Sequence, residues 1–210
     1  MEPQNHKIIR NFISESEKSK ILDWIGNITC VDGDSNHHIK TLSTSLKGKS
    51  FIFNQSKTSI TDYITKFQSV SQVSSETPPD FILEIQSRIV EITGFPTDNI
   101  FFQAVDMSKG GFIGDHYDAT VKGYINYKCN ISVLSEDYDF YIDRVPVDIR
   151  EKDLYGFEAS LYRHSTDPFT TRRVFLSFGF LIPYSVMNRT ESDPRVRLSQ
   201  RIEKYFQQNI

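Results

Sequence analysis

Cysteine is scarce: Cys30 and Cys129 are the two in 210 residues, and neither belongs to a C-x-x-C pair. That excludes a disulfide framework and argues against a thiolate zinc site. Long apolar runs are also missing. No stretch approaches the roughly 18 consecutive apolar residues of a membrane span, and the opening MEPQNHKIIRNF has no apolar core of a secretion signal. The expectation is an intracellular, cytoplasmic protein with no membrane partner, in which the sequon Asn188-Arg189-Thr190 is a chance match. Nor is there an excess of one charge. The 24 Lys and Arg against 27 Asp and Glu leave −3, so a nucleic-acid substrate would have to be held by a local patch rather than by a global basic field.

What is present is a sizeable aromatic core, with 38% apolar residues, 16 Phe and 10 Tyr. Length and composition predict one domain over 1–210. Ser14 and Glu17 form a capping-box pattern ahead of Ile21, Leu22, Trp24 and Ile25, so a helix begins there. Residues 31–76 are rich in Ser, Thr, Asn, Lys and Gly and read as loops, with a weak helix over 59–70. After Pro78 and Pro79, apolar residues recur at Ile82, Ile85, Ile89, Val90 and Ile92 before Gly94 and Pro96, the pattern of an amphipathic helix with a stop signal. From 99 to 184 the runs are short and broken by Gly, Asp and Pro. Strands are expected at 100–106, 127–134, 139–143, 157–162 and 173–182, with Glu136, Asp137 and Asp139 in a hairpin turn. The end of the chain, 185–210, returns to helical spacing at Val196, Leu198, Ile202 and Phe206. Helical support and loops over 1–98 thus precede a β core.

Inside that core, GFIGDHYDAT places His116 and Asp118 two positions apart. On extended backbone, residues i and i+2 point the same way, so an imidazole and a carboxylate can converge on one ion. Two histidines and one carboxylate suit an iron(II) centre, because they leave adjacent positions open. His164, the only histidine after His116, is the candidate third ligand. Nine positions later, Arg173 offers a planar fork for a dicarboxylate. Arg172 competes with it. Strand alternation favours Arg173, which shares a face with Phe175, Ser177 and Gly179, whereas Arg172 falls in line with Val174, Leu176, Phe178 and Phe180. Asp115 reads as a solvated loop carboxylate, His37 and His38 as exposed, and His6 as uninvolved near a frayed terminus.

This order of residues resembles the Fe(II)- and 2-oxoglutarate-dependent dioxygenases: H-x-D, a distant His, then a basic residue about ten positions on. The stretch FQAVDMSKGGFIGDHYDA looks closest to the prolyl-4-hydroxylase-like branch, with Gln103 on the incoming strand and Gly110 six positions before His116. Met107 stands where that branch usually has tyrosine, and Arg173 where it usually has lysine. The AlkB-like demethylases are the neighbouring relatives, but their second arginine would fall on Gly179. The resemblance implies an α+β fold, a double-stranded β-helix (jelly-roll, cupin-like) barrel with flanking helices. It implies Fe(II) on His116, Asp118 and His164, and 2-oxoglutarate on Arg173, with Tyr127 and Ser177 as further candidate contacts. With O2 as the second cosubstrate, it implies hydroxylation of a peptidyl side chain or small molecule, giving succinate and CO2. Oxidative demethylation of nucleic acid and a non-catalytic cupin-like binding module are the alternatives.

Overall fold

The computed structural model describes residues 6–28, 48–54, 72–74, 78–135 and 140–208. In chain order their elements are β1 (His6–Ile9), α1 (Glu15–Asn27), β2 (Gly48–Asn54), β3 (Gln72–Ser74), α2 (Asp80–Thr93), β4 (Ile100–Met107) and β5 (Tyr124–Leu134), then β6 (Phe140–Ile142), β7 (Val145–Val147), β8 (Leu154–Glu158), β9 (His164–Thr166), β10 (Arg173–Pro183) and α3 (Pro194–Gln208). A large sheet runs β1-β8-β5-β10-β4-β2-β3 and a small one β7-β6-β9. Every pairing is antiparallel except β2 with β3. This is the expected α+β, cupin-like jelly-roll with flanking helices; its two sheets are not closed into a barrel, because among the described residues no continuous ladder joins them. Between them runs 110–118, tied to the later chain by scattered backbone bonds: Gly110 to Phe169, Thr166 to Ile113, the His116–His164 pair, and Asp118 to Ala159. Gly110 has φ 81°, a left-handed backbone that glycine adopts without strain and that a regular strand does not contain.

Local chemistry sets the helices. Ser14 Oγ accepts from the Glu17 amide at 3.2 Å while Glu17 Oε2 accepts from the Ser14 amide at 2.8 Å, closing the capping box of α1. Helix α2 stops at Gly94, left-handed at φ 67°, whose amide donates to Val90 O. Ile82, Ile85 and Ile89 are buried and join Ile21 and Ile25 of α1 against one face of the large sheet. Each such side chain contributes about 1.5–3 kcal/mol by leaving water.

Alternation along the central strands divides the sheet into two faces. Val174, Leu176, Phe178, Phe180 and Ile182 of β10, with Tyr127, Cys129, Ile131 and Val133 of β5, pack with the helices. The residues between them turn the other way, toward the small sheet. There Tyr155 and Phe157 meet Phe140 and Ile142 in one apolar cluster, and Val105, Met107 and Phe175 meet Phe169 in another.

Two expectations change in detail. The strand expected over 157–162 ends at Glu158; 159–162 turns, and a new strand begins at His164. Within the stretch read as loop, β2 pairs with β4. The expected helix over 59–70, the turn at Glu136, Asp137 and Asp139, and His37 and His38 lie outside the described residues. No helix among the described residues is long and apolar enough to cross a membrane.

Candidate active site

His116 and His164 face each other across an isolated antiparallel bridge, each amide donating to the other's carbonyl at 3.1 and 2.9 Å. Two residues on, the Asp118 amide donates to Ala159 O at 2.9 Å, which fixes the carboxylate on the same side. The possible ligand atoms of His116, Asp118 and His164 all lie within 4.8 Å of one another. Asp118 Oδ1 is 3.2 Å from His116 Nε2 and 3.5 Å from His164 Nε2.

The imidazoles are set by their own neighbours. His116 Nδ1 lies 2.7 Å from Gly114 O and His164 Nδ1 lies 3.2 Å from Tyr162 O. A carbonyl oxygen only accepts, so each Nδ1 carries a proton and each Nε2 faces Asp118; without a metal Nε2 can hold a proton and donate it to the carboxylate, and on losing that proton it presents the lone pair a metal ligand needs. Phe157 lies edge-on to the His164 ring at 4.9 Å between centroids.

The charges respond to this crowding. Burial works to raise the Asp118 carboxyl, but the Lys128 ammonium and hydrogen bonds from both histidines outweigh it and hold the group well below the ordinary carboxylate range. Burial also opposes the charged form of His116, yet Asp118 prevails and raises it. His164 is lowered, by burial first and then by the neighbouring His116. The triad therefore favours an anionic Asp118 flanked by imidazole nitrogens, a donor set suited to a divalent ion.

Of the two arginines, Arg172 lies on the outside, where it makes a two-pronged pair with Asp106 at 2.9 Å for both bonds. Arg173 is 2% exposed. Its guanidinium lies 4.9 Å from the Phe169 ring centre and 4.7 Å from that of Phe175, and its Nη2 donates to Tyr155 Oη at 3.2 Å. Ser177 shares its face and sits between Asn130 of β5 and Gln103 of β4. Next along that inner face of β5 is Ser132. Asn130 Oδ1 and Ser132 Oγ are buried without a hydrogen-bond partner among the described residues. Buried polar atoms are rarely left so; the Ser132 hydroxyl can donate to the anionic oxygen that a buried guanidinium invites, whereas Asn130 Oδ1 only accepts.

Tyr127 is not brought to this face. Its ring packs edge-on against Phe95 at 4.9 Å, among the residues that meet the helices. The run Asn126-Tyr127-Lys128-Cys129-Asn130-Ile131-Ser132-Val133 alternates polar and apolar without a break, and that alternation alone separates Tyr127 from its polar neighbours. The same signal points to Lys128, which the sequence reading passed over. Lys128 is 5% exposed, and its Nζ lies 3.6 Å from Asp118 Oδ2. Tyr155 was also missed; it is paired with Asn130 in register on β8.

No family model and no curated protein matches the sequence. Solved structures do match. A viral collagen prolyl hydroxylase from Paramecium Bursaria Chlorella virus-1, in its 2OG complex, aligns with TM-score 0.56 at 10% identity, over 86% of this chain and 97% of that one. A Pseudomonas putida prolyl-4-hydroxylase aligns with TM-score 0.50 at 10% identity, over 85% and 92%. An oxidoreductase of the 2OG-Fe(II) oxygenase family from Burkholderia pseudomallei aligns with TM-score 0.52 at 14% identity, over 84% and 85%. At such identities the likeness concerns the path of the chain, and by that measure the protein has the fold of the 2OG-Fe(II) oxygenases.

Proposed function

We propose that the protein is an Fe(II)- and 2-oxoglutarate-dependent dioxygenase that hydroxylates an unactivated C–H bond of a peptidyl side chain or a small molecule, with succinate and CO2 as coproducts. The observation that carries this reading is the convergence of His116, Asp118 and His164 within 4.8 Å. Both histidines there have Nδ1 committed to a carbonyl. In this reading His116 Nε2, His164 Nε2 and one Asp118 oxygen hold Fe(II), and Arg173 holds the far carboxylate of 2-oxoglutarate. When bound, the iron and its cosubstrate supply the oxidising chemistry, with O2 consumed and 2-oxoglutarate decarboxylated.

The chain's own part is to bind, orient and keep the chamber dry. The guanidinium, walled by Phe169 and Phe175, acts where water does not weaken the ion pair. Ser177, Asn130 and Ser132 offer hydroxyl and amide groups on the same inner face. Because Asp118 is present, the carboxylate position of the triad is filled, in keeping with hydroxylation rather than halogenation.

A peptidyl substrate is favoured by the structural neighbours that are collagen or prolyl-4-hydroxylases. The nucleic-acid alternative would place a second arginine at position 179, which is glycine. The test is succinate release from 2-oxoglutarate by Fe(II)-loaded protein, screened with peptides, amino acids and methylated oligonucleotides. Stimulation by one substrate class, abolished in His116→Ala, is expected. No succinate with any of them, and no divalent metal bound, would refute the reading.

A further inference from the structure

Lys128 is not a candidate ligand, yet among the described residues its ammonium lies in ionic contact with the triad carboxylate. It lies on β5 directly opposite Gly179 of β10, which in turn lies opposite Phe101 of β4. A methyl group at Gly179 would collide with the Phe101 ring, so the missing side chain is what lets that ring lie over the β10 backbone. The ring then supports the ammonium, whose Nζ lies 4.3 Å from its centre. From this seat Nζ reaches Asp118 Oδ2 at 3.6 Å, while the imidazole nitrogens flank the other oxygen, Oδ1. Glycine, phenylalanine and lysine on three adjacent strands thus form one device aimed at a single carboxylate oxygen.

We propose that Lys128 is a positioning residue for Asp118: it occupies Oδ2, leaves Oδ1 as the ligand atom, and by its positive charge keeps the site's hold on a divalent ion loose. This rests on the metal reading of the triad. The sign follows from electrostatics. Partners that accept a hydrogen bond from a ligand raise its basicity, and their loss weakens metal binding by roughly 10–100-fold. Lys128 does the opposite, since its ammonium, 3.6 Å from Oδ2, draws the carboxylate's negative charge toward itself and repels the dication. Removing it should therefore tighten binding.

The experiment measures Mn(II) affinity of the full chain from the electron paramagnetic resonance signal of the free ion, at one pH and without 2-oxoglutarate. Lys128→Met and Lys128→Gln should each bind Mn(II) about tenfold more tightly than the wild type or better, and Lys128→Arg should restore wild-type affinity. Using two neutral variants guards against one that does not fold. A folded neutral variant that binds no more tightly than the wild type overturns the proposal while leaving the metal site intact. If the wild type binds Mn(II) no better than His116→Ala does, the metal reading falls, and this inference falls with it.

Discussion

Arg173→Met tests how the cosubstrate would be held. The side chain is 2% exposed and is flanked by Phe169, Phe175 and the hydroxyl of Tyr155. An ion pair with a carboxylate formed there would be out of water, and removing one partner of such a pair costs about 2–5 kcal/mol. At about 1.4 kcal/mol per decade, the affinity for 2-oxoglutarate should fall between roughly thirtyfold and several thousandfold. Methionine fits between aromatic rings through its thioether, so the fold should survive, with its thermal midpoint no more than a few degrees lower. Arg172→Met is the control: its side chain is 49% exposed beside Asp106, and a surface pair of this kind contributes under about 1 kcal/mol. Calorimetric titration of 2-oxoglutarate into the Mn(II)-loaded protein measures both variants. Unchanged affinity in Arg173→Met, or a comparable loss in Arg172→Met, would refute the assignment.

Gly179→Ala should destabilise the protein by about 1–3 kcal/mol in urea unfolding, because the added methyl meets the Phe101 ring; a neutral result would show that the ring is not fixed there. Tyr127→Phe should leave 2-oxoglutarate affinity unchanged, since the ring lies on the helix side with Phe95; a clear loss in the same titration would contradict that placement. Glu17→Gln probes the cap of α1. Burial works to raise the Glu17 carboxyl, but hydrogen bonds from Ser14 and the Arg88 charge hold it below its ordinary value. A depressed carboxyl stabilises the fold above its unfolded-state pKa, and that contribution is lost as pH falls through the folded-state value. The substitution should therefore cost about 1 kcal/mol near pH 7 and much less near pH 3; an equal cost at both would rule out the charged cap.

The helices were legible because their signals are local: a cap at Ser14 and Glu17, and a stop at Gly94. The two faces of β10 were legible because a strand alternates with period two, which also turned Arg173 inward and Arg172 outward. The tie between His116 and His164 could be suspected from the order of residues, but the backbone pair that brings them together spans 48 positions and has no local signature. Tyr127 was placed by residue type when the alternation of its own strand already assigned it elsewhere. Lys128 was harder to read, because its role depends on Gly179 and Phe101, which meet it only when three strands assemble. The open arrangement of the sheets is hidden from the sequence for a similar reason: the irregular stretch 110–118 contains strand-like residues without a strand's continuous ladder.

The two-faced character of β10 has a consequence for how this chain can change over evolutionary time. Substitutions at 174, 176, 178, 180 and 182 act on packing against the helices, whereas those at 173, 175 and 177 act on the site, so a saturation scan of 173–178 should sort into abundance defects and turnover defects at alternate positions, with Gly179 joining the abundance defects through Phe101. Length is another matter. Inserting or deleting one residue so that the register shifts exchanges the two sets at a stroke, sending Arg173 and Phe175 outward and Phe178 and Phe180 inward. Descendants of this sequence can therefore drift at single sites along β10, but they can accept a change in its length only in the turns beyond its ends or where a bulge absorbs it, as at the register shift beside Val174 and Phe175.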